Sequence, residues 1–144
     1  MTINMKKICL IFGGKSSEHE VSLRSASAIL GGIDTSKYEV LLLGITKDGK
    51  WYLFEGDSAK IKDGSWILDS ENLTAASLST SFGEKALILA DGRKIDIDLV
   101  YPAVHGENCE DGRLQGLLEL AGIPFVGPGS LASAVCMDKS VTKS

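Results

Sequence analysis

Two short stretches hold most of the side chains able to do chemistry. "GGKSSEHEVS", residues 13–22, sets glycines, serines and ionisable groups directly behind an apolar run. "HGENCEDG", residues 105–112, brings together an imidazole, a thiol and several carboxylates. The glycine pair fits neither common phosphate-binding pattern. G-x-G-x-x-G fails because Gly13 and Gly14 are adjacent and no third glycine follows. The P-loop fails because Cys9 stands where its first glycine belongs. Ser17-Glu18-His19-Glu20 does fit an S-x-x-E capping box, in which Ser17 and Glu20 satisfy backbone donors reciprocally. Glu18 is left over. At the first helical position its charge suits the positive end of the helix dipole. Alternatively, its outward oxygens accept hydrogen bonds from a substrate ammonium.

His105 divides the same way, between a loop-anchoring imidazole and a group beside a reacting phosphate or carboxylate. Glu107, Glu110 and Asp111 read as carboxylates that cap a helix and solvate a loop rather than as a Mg²⁺ set. His105 and Cys109 are too few ligands for a closed zinc site. Lys139, in "MDK", is by default a surface lysine.

These residues need elements to hold them. Lys6 to Phe12 is a continuous apolar run of the kind buried on both faces of a sheet. Leu23, Ala26, Leu30 and Ile33 recur at helical spacing, giving a helix from Glu18 to about Gly31 that stops at Gly31-Gly32. Tyr38 to Ile45 is a second strand, which completes a right-handed βαβ unit. Asp48-Gly49 turns the chain into a strand Trp51 to Phe54. Residues 55–83, rich in Ser, Asp and Gly, read as irregular chain with one short helical turn. Asp91-Gly92 joins a hairpin of Glu84–Leu89 and Arg93–Ile95. Leu99 to Val104 is a core strand, in which Pro102 cannot donate to the ladder. Asp111 then caps a helix Arg113–Leu120 that Gly122 ends, "IPFVG" is a short strand, and a last helix begins near Ser130. The order predicts an α/β class with an open, mainly parallel sheet.

In such sheets ligands bind beyond the carboxyl ends of the strands. The loops Gly13–Glu18 and His105–Asp111 both qualify. A nicotinamide site would also want an acidic residue ending the second strand, where Gly44-Ile45-Thr46 stands instead.

A chain of 144 residues suits one compact domain with a real core. Its net charge of −4 argues against bulk nucleic-acid or anionic-membrane binding. No apolar run approaches the ~20 residues of a membrane span, and the N-terminus shows no signal-peptide cleavage pattern. Three widely spaced cysteines, Cys9, Cys109 and Cys136, indicate reduced thiols and a cytoplasmic setting.

"FGGKSSEHEVS", "VHGENCEDGRLQGLLELAGIPFVG" and "SLASAVCMDKS", in this order, resemble the N-terminal part of the D-alanine–D-alanine ligases and the related vancomycin-resistance D-alanine–D-serine or D-lactate ligases. The resemblance spans essentially the whole chain, weakly over residues 55–95. It implies a three-layer, Rossmann-like domain (residues 1–129) of the pre-ATP-grasp type, and a first helix (residues 130–144) leading into an ATP-grasp domain. It implies an enzyme that uses ATP and Mg²⁺ to phosphorylate D-alanine, whose acyl phosphate a second D-alanine, D-serine or D-lactate attacks to make a peptidoglycan precursor. By motif, Glu18 would bind the first D-alanine's ammonium, Val21 would line its methyl pocket, His105 would lie near the carboxylate or acyl phosphate, and Lys139 would reach ATP phosphates. Cys109 departs from the family's glycine in "GEDG". The remaining parts of such an enzyme, the Mg²⁺ carboxylates included, would follow residue 144, so the chain reads as an N-terminal piece without activity of its own. A homodimer stays open, as do two other readings: a stand-alone binding module, favoured by a gene ending at Ser144, and a structural or dimerisation module, favoured by a Glu18 packed away from any cleft. The ligase reading predicts that Glu18 and His105 border one open cleft, with the Gly13-Gly14 backbone between them and the last helix apart.

Overall fold

The computed structural model describes residues 5–14, 19–103 and 113–126. Its elements are β1 (Lys6–Gly13), α1 (His19–Gly32), β2 (Tyr38–Ile45), β3 (Trp51–Phe54), α2 (Ala59–Lys62), β4 (Leu73–Leu78), β5 (Ala86–Leu89), β6 (Lys94–Asp96), β7 (Leu99–Pro102) and α3 (Arg113–Leu120). Val104, Asp111, the helix expected from Ser130 and the division at 129/130 lie outside the described residues.

Seven strands form one sheet in the order β6-β5-β4-β3-β2-β1-β7. The α/β class holds, with a correction to the expected mainly parallel sheet. Among the described strands parallel pairing joins only β2-β1-β7, and β2 through β6 pair antiparallel. The cause lies in the connections. A parallel partner needs a crossover of a dozen or more residues. The turns between β2 and β3, β4 and β5, and β5 and β6 are far shorter.

β1 is buried on both faces, as its unbroken apolar run predicts. Cys9 and Ile11 pack with Leu43, Leu53, Leu87 and Val100 beneath α3, whose Leu114 and Leu118 close that core together with Ala121 just after the helix. Leu10 and Phe12 point the other way, to Leu23 and Ala26 of α1, Ile61 of α2 and Trp66. Helices therefore cover both faces, giving three layers. The Cys9 thiol is fully buried, and burial pushes its pKa up to about 12. A thiol that stays protonated is a poor nucleophile. Iodoacetamide at pH 8 is therefore expected to leave Cys9 unmodified until denaturant is added, as peptide mapping would show.

The stretch 55–83 is more ordered than its composition predicts. It contains α2, two 3₁₀ turns (Ser65–Leu68 and Ser70–Asn72) and the whole of β4. Trp66 is buried edge-on to Phe12, with ring centroids 4.9 Å apart, and pins the first 3₁₀ turn to the sheet. Asp69 accepts hydrogen bonds from Lys60 and Asn72, and the Glu55 N–H donates to the Asn72 carbonyl, so the excursion closes on itself. β4, "LTAASL", has small residues between its leucines and no clear alternation. Pairing with β3 and β5 makes it a strand.

α3 spans the expected residues and ends at Gly122, whose φ of +70° supplies the left-handed turn. Ile123 N–H donates to Leu118 O and Gly122 N–H to Glu119 O, a Schellman closure. The expected short strand after it reduces to one parallel bridge, Phe125 to Val100, on the outer side of β7. Among the described residues no helix is long and apolar enough to cross a membrane.

Candidate functional site

β1 and β7 are neighbours and parallel, in the register Ile11 to Pro102. The chain therefore leaves the sheet at Gly13 and at Ala103 on the same edge, with the Ala103 N–H donating to the Ile11 carbonyl at 2.7 Å. Glu18 follows the first exit and His105 the second. Glu18, His105, Cys109 and Lys139 themselves lie outside the described residues, as does Ser17 of the expected capping box.

Several described contacts hold the first exit. Gly13 and Gly14 take φ of +89° and +110°, which turns the backbone sharply off β1. The Gly14 N–H donates to the Ile45 carbonyl at 2.9 Å, fastening the turn to the end of β2. His19 is buried and its Nδ1 lies 2.9 Å from the Gly14 carbonyl. A carbonyl only accepts, so Nδ1 carries the proton. Ser22, fully buried one turn into α1, accepts from the Gly13 N–H at 2.8 Å and donates to the Ala103 carbonyl.

Val21 is 40% exposed on α1, an apolar side chain left open to solvent beside these contacts. Glu20 also faces outward, and its carboxylate pairs with Lys47 Nζ at 2.7 Å. The hydrogen bond from Lys47 holds its carboxyl below the usual carboxylate range. A groove of about 730 Å³ runs along this flank of α1, between His19 and Arg24 on one side and Lys47, Tyr52 and Trp66 on the other. Val21 does not line it, and it lies toward β2 and β3, away from β7. It opens at the carboxyl end of β2, on the same sheet edge as the β1 exit, and His19 in its wall bonds the Gly14 carbonyl of the β1 turn. Among the described residues no group of three or more His, Cys, Asp or Glu converges to hold a metal.

Sequence reasoning passed over Ser22. Its signal was a polar residue beside Leu23 and Ala26 on the buried stripe of α1, where a hydroxyl needs partners.

Residues 7–128 match the family described as the D-ala D-ala ligase N-terminus. The chain belongs to that family. A D-alanine–D-alanine ligase of Thermoanaerobacter sp. (strain X514) is 47% identical over 140 residues, which is 96% of this chain and 38% of the relative. The VanG D-Ala:D-Ser ligase of Enterococcus faecalis superposes with a TM-score of 0.89 at 48% identity, covering 96% of this chain and 40% of that one. The D-alanine–D-alanine ligase of Bacillus anthracis complexed with ATP superposes with a TM-score of 0.54 at 29% identity, covering 98% and 34%. The chain thus spans well under half the length of the ligases it matches.

Proposed function

We propose that this chain is the N-terminal, D-alanine-binding part of an ATP-dependent ligase. The enzyme joins D-alanine to a second D-alanine, or to D-serine or D-lactate, for peptidoglycan precursor synthesis. The observation that carries this reading is the parallel pairing of β1 with β7. It opens the two motif-bearing loops on one sheet edge, where an α/β sheet binds its ligand. Glu18 would take the first D-alanine's ammonium, Val21 its methyl group, and His105 would face its carboxylate.

The chemistry needs activation because a carboxylate is a poor electrophile. Phosphorylation by ATP gives the carboxyl carbon a leaving group. The incoming amine (or hydroxyl) then forms the new C–N (or C–O) bond as the C–O bond to phosphate breaks. The products are the dipeptide or depsipeptide, ADP and phosphate. ATP and Mg²⁺ fit the family, and the Bacillus anthracis neighbour is an ATP complex. The described residues supply no Mg²⁺ ligand set. Apart from Lys139, carried over by motif, the groups that hold nucleotide and metal belong to the ATP-grasp part. A peptidoglycan precursor ligase that spends ATP works in the cytoplasm, and a homodimer is testable by sedimentation of the full-length protein. The likeness to a D-Ala:D-Ser ligase supports the D-serine alternative, and a role in vancomycin resistance would follow from that alternative.

The test is D-alanine-dependent phosphate release. The full-length protein is expected to turn over with ATP, Mg²⁺ and D-alanine, adding D-serine or D-lactate in turn to name the second substrate. The 144-residue chain alone is expected to release none, because phosphoryl transfer depends on positioning and charge stabilisation that a single lysine does not supply. Silence of the full-length protein with every pair of substrates, or turnover by the chain alone, would refute the proposal.

A further inference from the structure

We propose that Ser22 is a positioning residue that ties the β1 exit to the β7 exit and so sets where Glu18 and His105 stand relative to each other. The proposal rests on the ligase reading above for what those two residues do, and on the structure alone for the tie itself. The Ser22 side chain is fully buried, and its hydroxyl is spent on two backbone groups 90 residues apart. It accepts from the N–H of Gly13, the last residue of β1, and donates to the carbonyl of Ala103, the first residue after β7. Five residues beyond Gly13 is Glu18; two beyond Ala103 is His105.

Backbone pairing between β1 and β7 runs through Pro102 and ends with the Ala103 N–H on Ile11. Among the described residues no further ladder bond links the two strands. The Ser22 hydroxyl takes over where the ladder stops. It also anchors α1 to both strands, so the helix start, the β1 turn and the β7 exit move as one body. Leu23 and Ala26, beside it on the same stripe, are apolar and meet the packing need of α1 against this face. Packing alone does not call for a hydroxyl at position 22.

A misplacement of about 1 Å at reacting groups costs as much as a hundredfold in rate. Losing one hydrogen-bonded tie is a smaller disturbance, so Ser22→Ala in the full-length enzyme is expected to raise the KM for the first D-alanine roughly tenfold and lower kcat, with the KM for ATP unchanged. Ser22→Thr keeps the hydroxyl and is expected to restore most of both. Ser79→Ala serves as the control. Ser79 is a buried serine on the loop after β4, a strand three places from β1 in the sheet, and its loss should lower Tm without moving either KM. Hydrogen exchange of the same proteins reads the tie directly: in Ser22→Ala the peptides covering Phe12–Gly14 and Tyr101–Ala103 should lose protection together.

An unchanged D-alanine KM with a lowered Tm, or equal losses for D-alanine and ATP, would overturn the positioning role. So would deprotection of only one of the two segments. A wild-type enzyme that never turns over D-alanine would refute the ligase reading instead, and the exchange experiment would still decide whether the tie exists.

Discussion

Replacing Glu18 by glutamine in the full-length enzyme is expected to weaken use of the first D-alanine roughly ten- to a hundred-fold, the equivalent of the roughly 1.5–3 kcal/mol carried by a hydrogen bond to a charged group. The amide keeps the shape and one acceptor oxygen. It loses the charge that an ammonium recognises and turns the other oxygen into a donor aimed at a donor. Glu20→Gln, two residues on, is the matched control. Its carboxylate faces outward and pairs with Lys47, and both side chains are more than half exposed. Exposed ion pairs contribute little, because water screens the charges and holding two long side chains costs entropy. Glu20→Gln should therefore leave the D-alanine kinetics as they are. Steady-state assays at varied D-alanine would decide it: two mutants that behave alike would end the division of roles between the two glutamates.

The sequence supplies that division as an expectation. The capping-box pattern accounted for Ser17 and Glu20 and isolated Glu18 as the residue without a local task. The observed partner of Glu20, Lys47, is contributed by the turn after β2. A local pattern proposes local partners, and a tertiary contact between α1 and that turn lies outside its reach. Ser22 shows the same limit more sharply. Its two partners come from strands on either side of it in sequence and meet only because β7 inserts beside β1.

The fold divides along similar lines. β1, α1, β2 and α3 were legible because each carries a full period of burial: β1 is apolar throughout, and the helices carry an apolar stripe. The hairpins were legible from Asp-Gly pairs, whose turn residues Gly49 and Gly92 take positive φ. β4 was not, since alanine, serine and threonine carry no period and the strand forms because its neighbours need a partner. The proportion of antiparallel pairing was not legible either. It depends on how the 55–72 excursion returns, and Trp66 and Asp69 decide that by anchoring it to the sheet and to itself.

Gly13→Ala is expected to be the most damaging small substitution in the described part of the chain. At φ of +89° any side chain is strained, by roughly 1–2 kcal/mol. An added Cβ would also stand 2.2 Å from the Ile45 carbonyl oxygen and 3.0 Å from His19 Cε1. That oxygen is backbone of a central strand and accepts from Gly14, so it cannot move aside without breaking the bond that fastens the turn. Overpacking adds about 1–3 kcal/mol and the lost hydrogen bond about 1 kcal/mol, for a total of about 3–6 kcal/mol. For a domain of this size that lowers Tm by roughly 10 °C or more. Gly31→Ala should do the reverse. Gly31 lies in the last turn of α1, and a Cβ there meets nothing within 4 Å. Alanine stabilises such a helical position by about 0.5–1 kcal/mol relative to glycine. Thermal melts of the two variants should therefore shift in opposite directions. A Gly13→Ala protein as stable as the parent would mean that the β1 turn is free to rearrange, and a turn that free could not hold Glu18 in place for a substrate.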